Sequence, residues 1–297
     1  MGDTIYVKFH THSSFSDGAY SPADLAEFLA DADVRYAALA DHDTLEGQVR
    51  FREALKARGI ASLPGLELTT KLDGRLLHLV AYGFDPEHRE LTTTLASLRD
   101  ARVPEHSMAG SLRAATTNRT AAAGEAGNGA ATGGLAAADG IALIHRAGGR
   151  FFLAHPLGLE PDPDRLAELV ARLKVMGLDG IEAIYADYSE EEQDRLRNLA
   201  HEQGLIVSAG TDYHGVSGLG SQFLGIKMPI EDWHRFRAAV LTGSGLADST
   251  AADEVAEHAE PHRAAVSEPS RHGRRSFVLR VVLPAAAALG LFLAALL

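Results

Sequence analysis

The chain has 297 residues, 46% of them hydrophobic, with a formal net charge of −12 at pH 7 and no cysteine. That length gives room for one large α/β domain with an appendage, or for two small domains. The acidic balance excludes a general pull on nucleic acid, so no extended nucleic-acid surface is expected, and the missing thiols exclude disulfides and thiolate metal sites. Any transition metal must then sit on imidazole and carboxylate, and 14 histidines are available.

Strand-like apolar runs are predicted at residues 5–9, 36–40, 60–69, 76–82, 151–154, 180–185 and 205–209, with amphipathic helices between them. Ser21 before Pro22 predicts the N-cap and first turn of a helix carrying Leu25, Phe28 and Leu29 on one face. Thr44 is expected to cap the next helix, which bears Val49, Phe51 and Leu55 and which Gly59 ends. Asp73-Gly74 is a hairpin signal. A two-residue turn there sets Thr69 opposite His78, with Glu67 on the same face one diagonal step away. Ser189, followed by three glutamates, opens a helix ending near Gly204, and Ile230, Trp233, Phe236, Val240 and Leu241 form the stripe of another. This alternation indicates an α/β barrel or an open α/β sheet.

Residues 101–138, rich in Ala, Gly and Thr, have no apolar period and are read as a short low-complexity insertion in a domain spanning 1–246. A polar linker, 247–276, leads to an apolar run at 277–297. As a helix, residues 281–297 would cover roughly 25 Å against a hydrocarbon core of about 30 Å, and residues 277–279 extend it where Arg280 snorkels. The run is apolar on every face, which favours a C-terminal transmembrane helix over a terminal core helix. The basic flank of Arg271, Arg274 and Arg275 keeps that side cytoplasmic. The expected location is the cytoplasmic face of a membrane, held by a single-pass C-terminal anchor.

Ligand-type residues gather at the predicted strand ends. His10 and His12 follow the first strand at a spacing that turns both imidazoles to one side, and Asp17 lies on the turn after them. His42, between Asp41 and Asp43, follows the second strand; Glu67 and His78 belong to the hairpin; His155 ends the fifth run; Asp212 and His214 follow the seventh. Each alone is unremarkable, but their common position at the end of nearly every strand indicates one shared metal site. Asp41 and Asp43 either orient imidazoles or cap turns. Lys71, Arg75, Arg146 and Arg150 are candidate phosphate contacts. The other histidines, His201 and His145 among them, are read as helix or loop surface residues. Ser13, Ser14 and Ser16 lie nearby, yet no Gly-x-Ser-x-Gly elbow appears, which disfavours a covalent serine route.

The motifs His10-Thr11-His12, Ser16-Asp17-Gly18, Ala40-Asp41-His42-Asp43, Pro64-Gly65-Leu66-Glu67, His78-Leu79-Val80, Ala154-His155-Pro156 and Gly210-Thr211-Asp212-Tyr213-His214 resemble those of the PHP (polymerase and histidinol phosphatase) domain, in order and spacing. The similarity covers residues 5–86 and 139–246, and is greatest to the branch acting on nucleotides and short RNA. The resemblance implies a distorted (β/α)7 barrel and three divalent metal ions, with Mn, Fe or Zn suited to the ligands. It also implies that His10, His12, Glu67 and Asp212 hold one metal, that Glu67 bridges to a second held by His78 and His155, and that Asp17, His42 and His214 hold a third and serve catalysis. The expected partner is a small phosphoester, hydrolysed by metal-activated water. The nucleotide-acting branch carries an inserted domain with an Arg-Pro-His-like motif where this chain has 101–138, and that motif is absent here. The alternatives are a phosphotyrosine-protein phosphatase at the membrane and a non-catalytic metal-bound scaffold.

Overall fold

The computed structural model describes residues 3–32, 34–102, 134–215 and 225–241. It divides the chain into a unit spanning 1–252 and a second spanning 253–297, which lies outside the described residues, as do the predicted linker and membrane helix. Among the described residues no helix is long and apolar enough to cross a membrane.

Strands β1 (Thr4–Lys8), β2 (Tyr36–Leu39), β3 (Ala61–Leu72), β4 (Arg75–Tyr82), β5 (Leu135–Ala136), β6 (Arg150–Leu153), β7 (Gly180–Tyr185), β8 (Ile206–Gly210) and β9 (Ile226–Pro229) form one sheet. Its order is β8-β7-β6-β4-β3-β2-β1-β9, with β5 beside β3. The seven predicted strands are thus consecutive in space, and the two additions, β5 and β9, lie off that run. The sheet is mixed, because β4 is antiparallel to both β3 and β6 and β9 is antiparallel to β1. β2 and β7 are buried at every position, as strands covered on both faces should be.

The two ends of the seven-strand run approach each other. An isolated parallel bridge joins Thr11, just past β1, to Tyr213, just past β8. The Lys8 ammonium donates to the Thr211 hydroxyl and lies 4.5 Å from the centre of the Tyr213 ring. These contacts leave a nearly closed barrel.

Helices α1 (Pro22–Asp31), α2 (Gln48–Lys56), α3 (Arg89–Arg102), α4 (Ala137–Arg146), α5 (Pro156–Leu159), α6 (Pro163–Val175), α7 (Glu190–Glu202) and α8 (Ile230–Leu241) link or cover the strands. Ser21 caps α1 and Ser189 forms a full capping box with Glu192 on α7, both as predicted. Thr44 does not cap α2. The helix starts later, at Gln48 after Gly47, because Asp43 is fastened to β3 and holds the intervening loop. The predicted insertion also ends earlier than expected, since residues 135–136 form β5 and α4 begins at Ala137. Trp233 and Phe236 of α8 pack on Phe9, Tyr82 and Phe152, with the Phe9 and Phe236 rings 4.8 Å apart. This apolar floor fixes β1 immediately before His10.

Candidate metal centre

Backbone hydrogen bonds between adjoining strand ends set the ligands in place. The His12 N–H donates to the Tyr213 carbonyl at 2.9 Å and the Ala40 N–H to the Thr11 carbonyl at 2.8 Å, so the chain segments after β1, β2 and β8 continue side by side. His42 forms an isolated bridge with Glu67, flanked by Asp43 N–H to Glu67 carbonyl at 2.9 Å. In the β3–β4 hairpin Leu72 faces Arg75 across Asp73 and Gly74, both at positive φ, and Thr69 faces His78 as the turn signal predicted. The Ala154 N–H donates to the His78 carbonyl, which delivers His155 next to the hairpin.

Glu67 is fully buried and stands at the centre. Its Oε2 lies 3.1 Å from His10 Nε2, 3.1 Å from His12 Nε2 and 3.3 Å from His42 Nδ1. Its Oε1 lies 3.1 Å from His78 Nδ1 and 3.2 Å from His155 Nε2. Asp212 Oδ1 is 3.0 Å from His12 Nε2 and 3.3 Å from His10 Nε2. Towards solvent, Asp17 faces His214 Nε2 at 3.2 Å and His42 Nε2 at 3.7 Å. His214 donates its Nδ1–H to the Asp212 carbonyl at 2.8 Å, which turns Nε2 towards Asp17. All nine sequence-predicted ligands therefore converge. Among the described residues, three groups have donor atoms within 4.8 Å of one another: His10, His12, Glu67 and Asp212; His12, Asp17, His42 and His214; and His42, Glu67 and His78.

The residues fit a metal. Among the buried polar atoms that make no hydrogen bond are His10 Nε2, both ring nitrogens of His12, Glu67 Oε2 and Asp212 Oδ1. Burying such atoms without a hydrogen bond is costly. Nε2 of His10 and of His12 each lie within 3.3 Å of both Glu67 Oε2 and Asp212 Oδ1, so these four face one small space, while His12 Nδ1 looks towards Asp17 at 3.7 Å. The charges tell the same story. Burial opposes the charge on Glu67 and Asp212, but the surrounding imidazoles outweigh it and hold both carboxyls well below their ordinary range. Burial likewise opposes protonation of His12, yet Asp212 and Glu67 raise it to about 10. His42 goes the other way: burial, aided by neighbouring imidazoles, pushes it down to about 4.

Asp41 and Asp43 each fasten a ligand-bearing loop. Asp41 accepts the Ser13 N–H and the hydroxyls of Ser13 and Ser16, fixing the loop between His12 and Asp17. Asp43 takes the N–H and hydroxyl of Thr69, both at 2.8 Å. Asp43, His155 and Asp212 adopt positive φ of 51°, 30° and 48°, a strained conformation for side-chain-bearing residues that concentrates here at the ligand positions and their neighbour.

The predicted phosphate contacts separate. Arg146 makes a two-pronged pair with Glu90 at 2.7 and 2.9 Å, and Arg150 pairs with Asp179. Arg150 opens β6 whereas His155 follows its end, so both arginines belong to the opposite end of the barrel from the ligands. Arg75 is taken up by Glu160 and the Leu159 carbonyl. Lys71 shares the β3 face of Glu67 and Thr69. Two histidines read as surface residues each hold an acid. His201 spans from α7 to the fully buried Asp232 of α8 at 3.0 Å, and His145 holds Asp179 at 2.7 Å.

Sequence reasoning missed Glu182, the single charge in the buried strand β7, which lies 2.9 Å from His10 Nδ1. An isolated acid in a wholly apolar strand was the available signal. It also missed Tyr185, whose hydroxyl donates to Asp212 at 3.3 Å, and Arg50, which lies 5.3 Å from the ring of Phe15 on the Asp17 loop.

The family model for the PHP domain matches residues 8–121. A 5'-3' exoribonuclease of Haemophilus influenzae is 29% identical over 267 residues, 76% of this chain and 97% of its own length. A 3',5'-nucleoside bisphosphate phosphatase of Chromobacterium violaceum is 25% identical over 79% of this chain and 98% of its own. Two solved structures share the fold with a TM-score of 0.64 and 23% identity over 78% of this chain: a candidate metal-dependent phosphoesterase of Bifidobacterium adolescentis, covered to 95%, and an amidohydrolase of Chromobacterium violaceum, covered to 96%. The family model, the full-length relatives and the converging ligands together support this chain as a PHP-domain metal-dependent phosphoesterase, a hydrolase of phosphate esters.

Proposed function

We propose that the chain hydrolyses a small nucleotide-type phosphoester, a phosphomonoester or the end of a short oligonucleotide, with divalent cations held by His10, His12, Asp17, His42, Glu67, His78, His155, Asp212 and His214. The observation that carries this reading is Glu67. A fully buried carboxylate with imidazoles facing both of its oxygens is built to bridge two cations. Bound there, such cations lower the pKa of a coordinated water and offset charge on the phosphoryl oxygens.

The protein's own contribution is placement. Asp17, His42 and His214 form the half-open rim where the phosphoryl group arrives, and the buried set beneath them excludes bulk water. No side chain is needed as nucleophile. Ser13 and Ser16 use their hydroxyls to hold the loop through Asp41, and we take water oxygen as the attacking group: its bond to phosphorus forms as the ester P–O bond breaks, and the ester oxygen departs with a proton. Lys71, on the Glu67 face of β3, and Arg50, beside the Asp17 loop, are the cations we assign to the substrate's remaining anionic groups. The relatives that act on nucleoside bisphosphate and RNA favour this substrate class over phosphotyrosine. The apolar run at 277–297 is assigned to a membrane anchor on its sequence alone.

The test is a phosphoester panel on the full chain stripped of metal and reloaded with Mn, Zn or Fe. Nucleoside bisphosphates, 5'-phosphorylated oligoribonucleotides and a phosphotyrosine peptide are compared. Metal-dependent turnover of the first two supports the proposal. Preference for the peptide redirects it to the phosphatase alternative, and no turnover by any loaded form leaves the scaffold reading.

A further inference from the structure

Glu182 lies in β7, whose six residues are all buried, and it is itself 1% exposed. A carboxylate so placed is tolerated only when its oxygens are taken up. Oε1 lies 2.9 Å from His10 Nδ1, and Oε2 accepts the backbone N–H of His155 at 2.8 Å. The room for this comes from Gly210. A Cβ there would stand 1.9 Å from Glu182 Oε1 and 2.6 Å from the His10 Cβ, so any other residue would expel the carboxylate.

From this bracing we infer that Glu182 is a positioning residue that sets the His10 ring and the His155 backbone together, so that Nε2 of both histidines faces Glu67. The inference rests on the metal reading above and adds to it a residue that touches no substrate. Its logic is one of donors and acceptors. With Nδ1–H held by a carboxylate, the His10 imidazole keeps its Nε2 lone pair for a cation. His155 is held at φ 30°, a conformation its side chain disfavours, by the N–H bond to the other oxygen. Both groups facing Glu182 are N–H donors, so both ends of the side chain must accept. A carboxylate does, whereas a carboxamide of the same size accepts at one end only. With its oxygen on His155, a glutamine would present NH2 to His10 Nδ1 and favour the tautomer protonated on Nε2, which has no lone pair for a cation. Reversed, its NH2 would abut the His155 N–H.

The experiment compares the full wild-type chain with Glu182→Gln and Glu182→Ala. Readouts are bound metal after dialysis against limiting Mn, the visible spectrum of the Co form, the unfolding midpoint, and the Mn concentration giving half-maximal hydrolysis. A folded Glu182→Gln with sub-stoichiometric metal, an altered Co spectrum and a half-maximal Mn concentration raised about 10–100-fold is the expected result. Glu182→Ala, which lets water reach both donors, should bind metal no worse than Glu182→Gln. Should neither variant fold, nitrogen-15 histidine spectra of the Zn-loaded wild type decide: His10 Nδ1 should carry a slowly exchanging proton, and a rapidly exchanging one overturns the inference. Wild-type metal uptake and Co spectrum in folded Glu182→Gln also overturn it. A wild-type chain that takes up no cation overturns the metal reading and this inference with it.

Discussion

Asp41 and Ser13 are joined twice: Oδ1 accepts the Ser13 N–H at 2.6 Å and Oδ2 accepts its hydroxyl at 2.7 Å. With the Ser16 hydroxyl also on Oδ1, one buried carboxylate holds both ends of the short loop that delivers Asp17. Replacing Asp41 with Ala strands those donors. The expected cost is about 2–4 kcal/mol of stability, read by urea unfolding, together with weaker binding of the cation at the Asp17 rim.

His10→Ala combined with His12→Ala should remove bound metal, measured by elemental analysis, and lower hydrolysis about a thousandfold or more. Chelation of the wild type should do the same reversibly, and Mn should restore it.

Metal uptake should release protons. In the metal-free chain His12, raised to about 10 by Asp212 and Glu67, carries a proton at neutral pH that a cation must displace. His42, pushed down to about 4, has none to give. Titrating Mn into a weakly buffered solution at pH 8 should therefore acidify it, and apparent affinity should rise with pH until about 10. Stability of the metal-free fold follows the same signs. The folded pKa of His12 lies above the unfolded value of about 6.5. Its contribution is therefore complete below that pH and is lost as pH rises through about 10. The His42 contribution is complete above about 6.5 and is lost as pH falls through about 4.

Lys71→Ala and Arg50→Ala should each raise KM for an anionic substrate about tenfold, equivalent to ~1.4 kcal/mol, with kcat little changed. Arg146→Ala and Arg150→Ala should leave KM at the wild-type value, because Glu90 and Asp179 hold those side chains at the far end of the barrel. Steady-state kinetics on the best substrate of the panel separates the two pairs.

The full chain should remain with membranes through a carbonate wash, and a chain ending at residue 252 should be released while keeping its hydrolysis. Recovery of the full chain in the wash supernatant would remove the anchor.

The ligands were legible because imidazole and carboxylate stand out where an apolar strand stops, and because Asp73-Gly74 fixes the hairpin register that brings His78 to Glu67. What escaped lacks such contrast. β5 has two residues, too few for a period, and β9 contains Lys227 and Pro229. Thr44 looked like a cap because nothing in the sequence says that Asp43 is already tied to Thr69 or that the Gln48 side chain bonds the Leu39 and Gly65 carbonyls. Glu182 was passed over because it sits mid-strand with no turn signal beside it, unlike Glu67 and His78, which the hairpin at Asp73-Gly74 brings into register. The arginines failed for another reason: charge alone does not tell which end of a barrel a residue occupies.

The bridge between Thr11 and Tyr213 joins residues 202 positions apart in the chain. On a ribosome adding about 5–20 residues per second, His10 and His12 are exposed for roughly 10–40 s before Asp212 is made. During synthesis the nascent chain therefore holds two imidazoles without the carboxylate that completes their group. Full coordination, and with it any hydrolytic power, must come late, after the barrel wall bearing Asp212 and His214 has emerged.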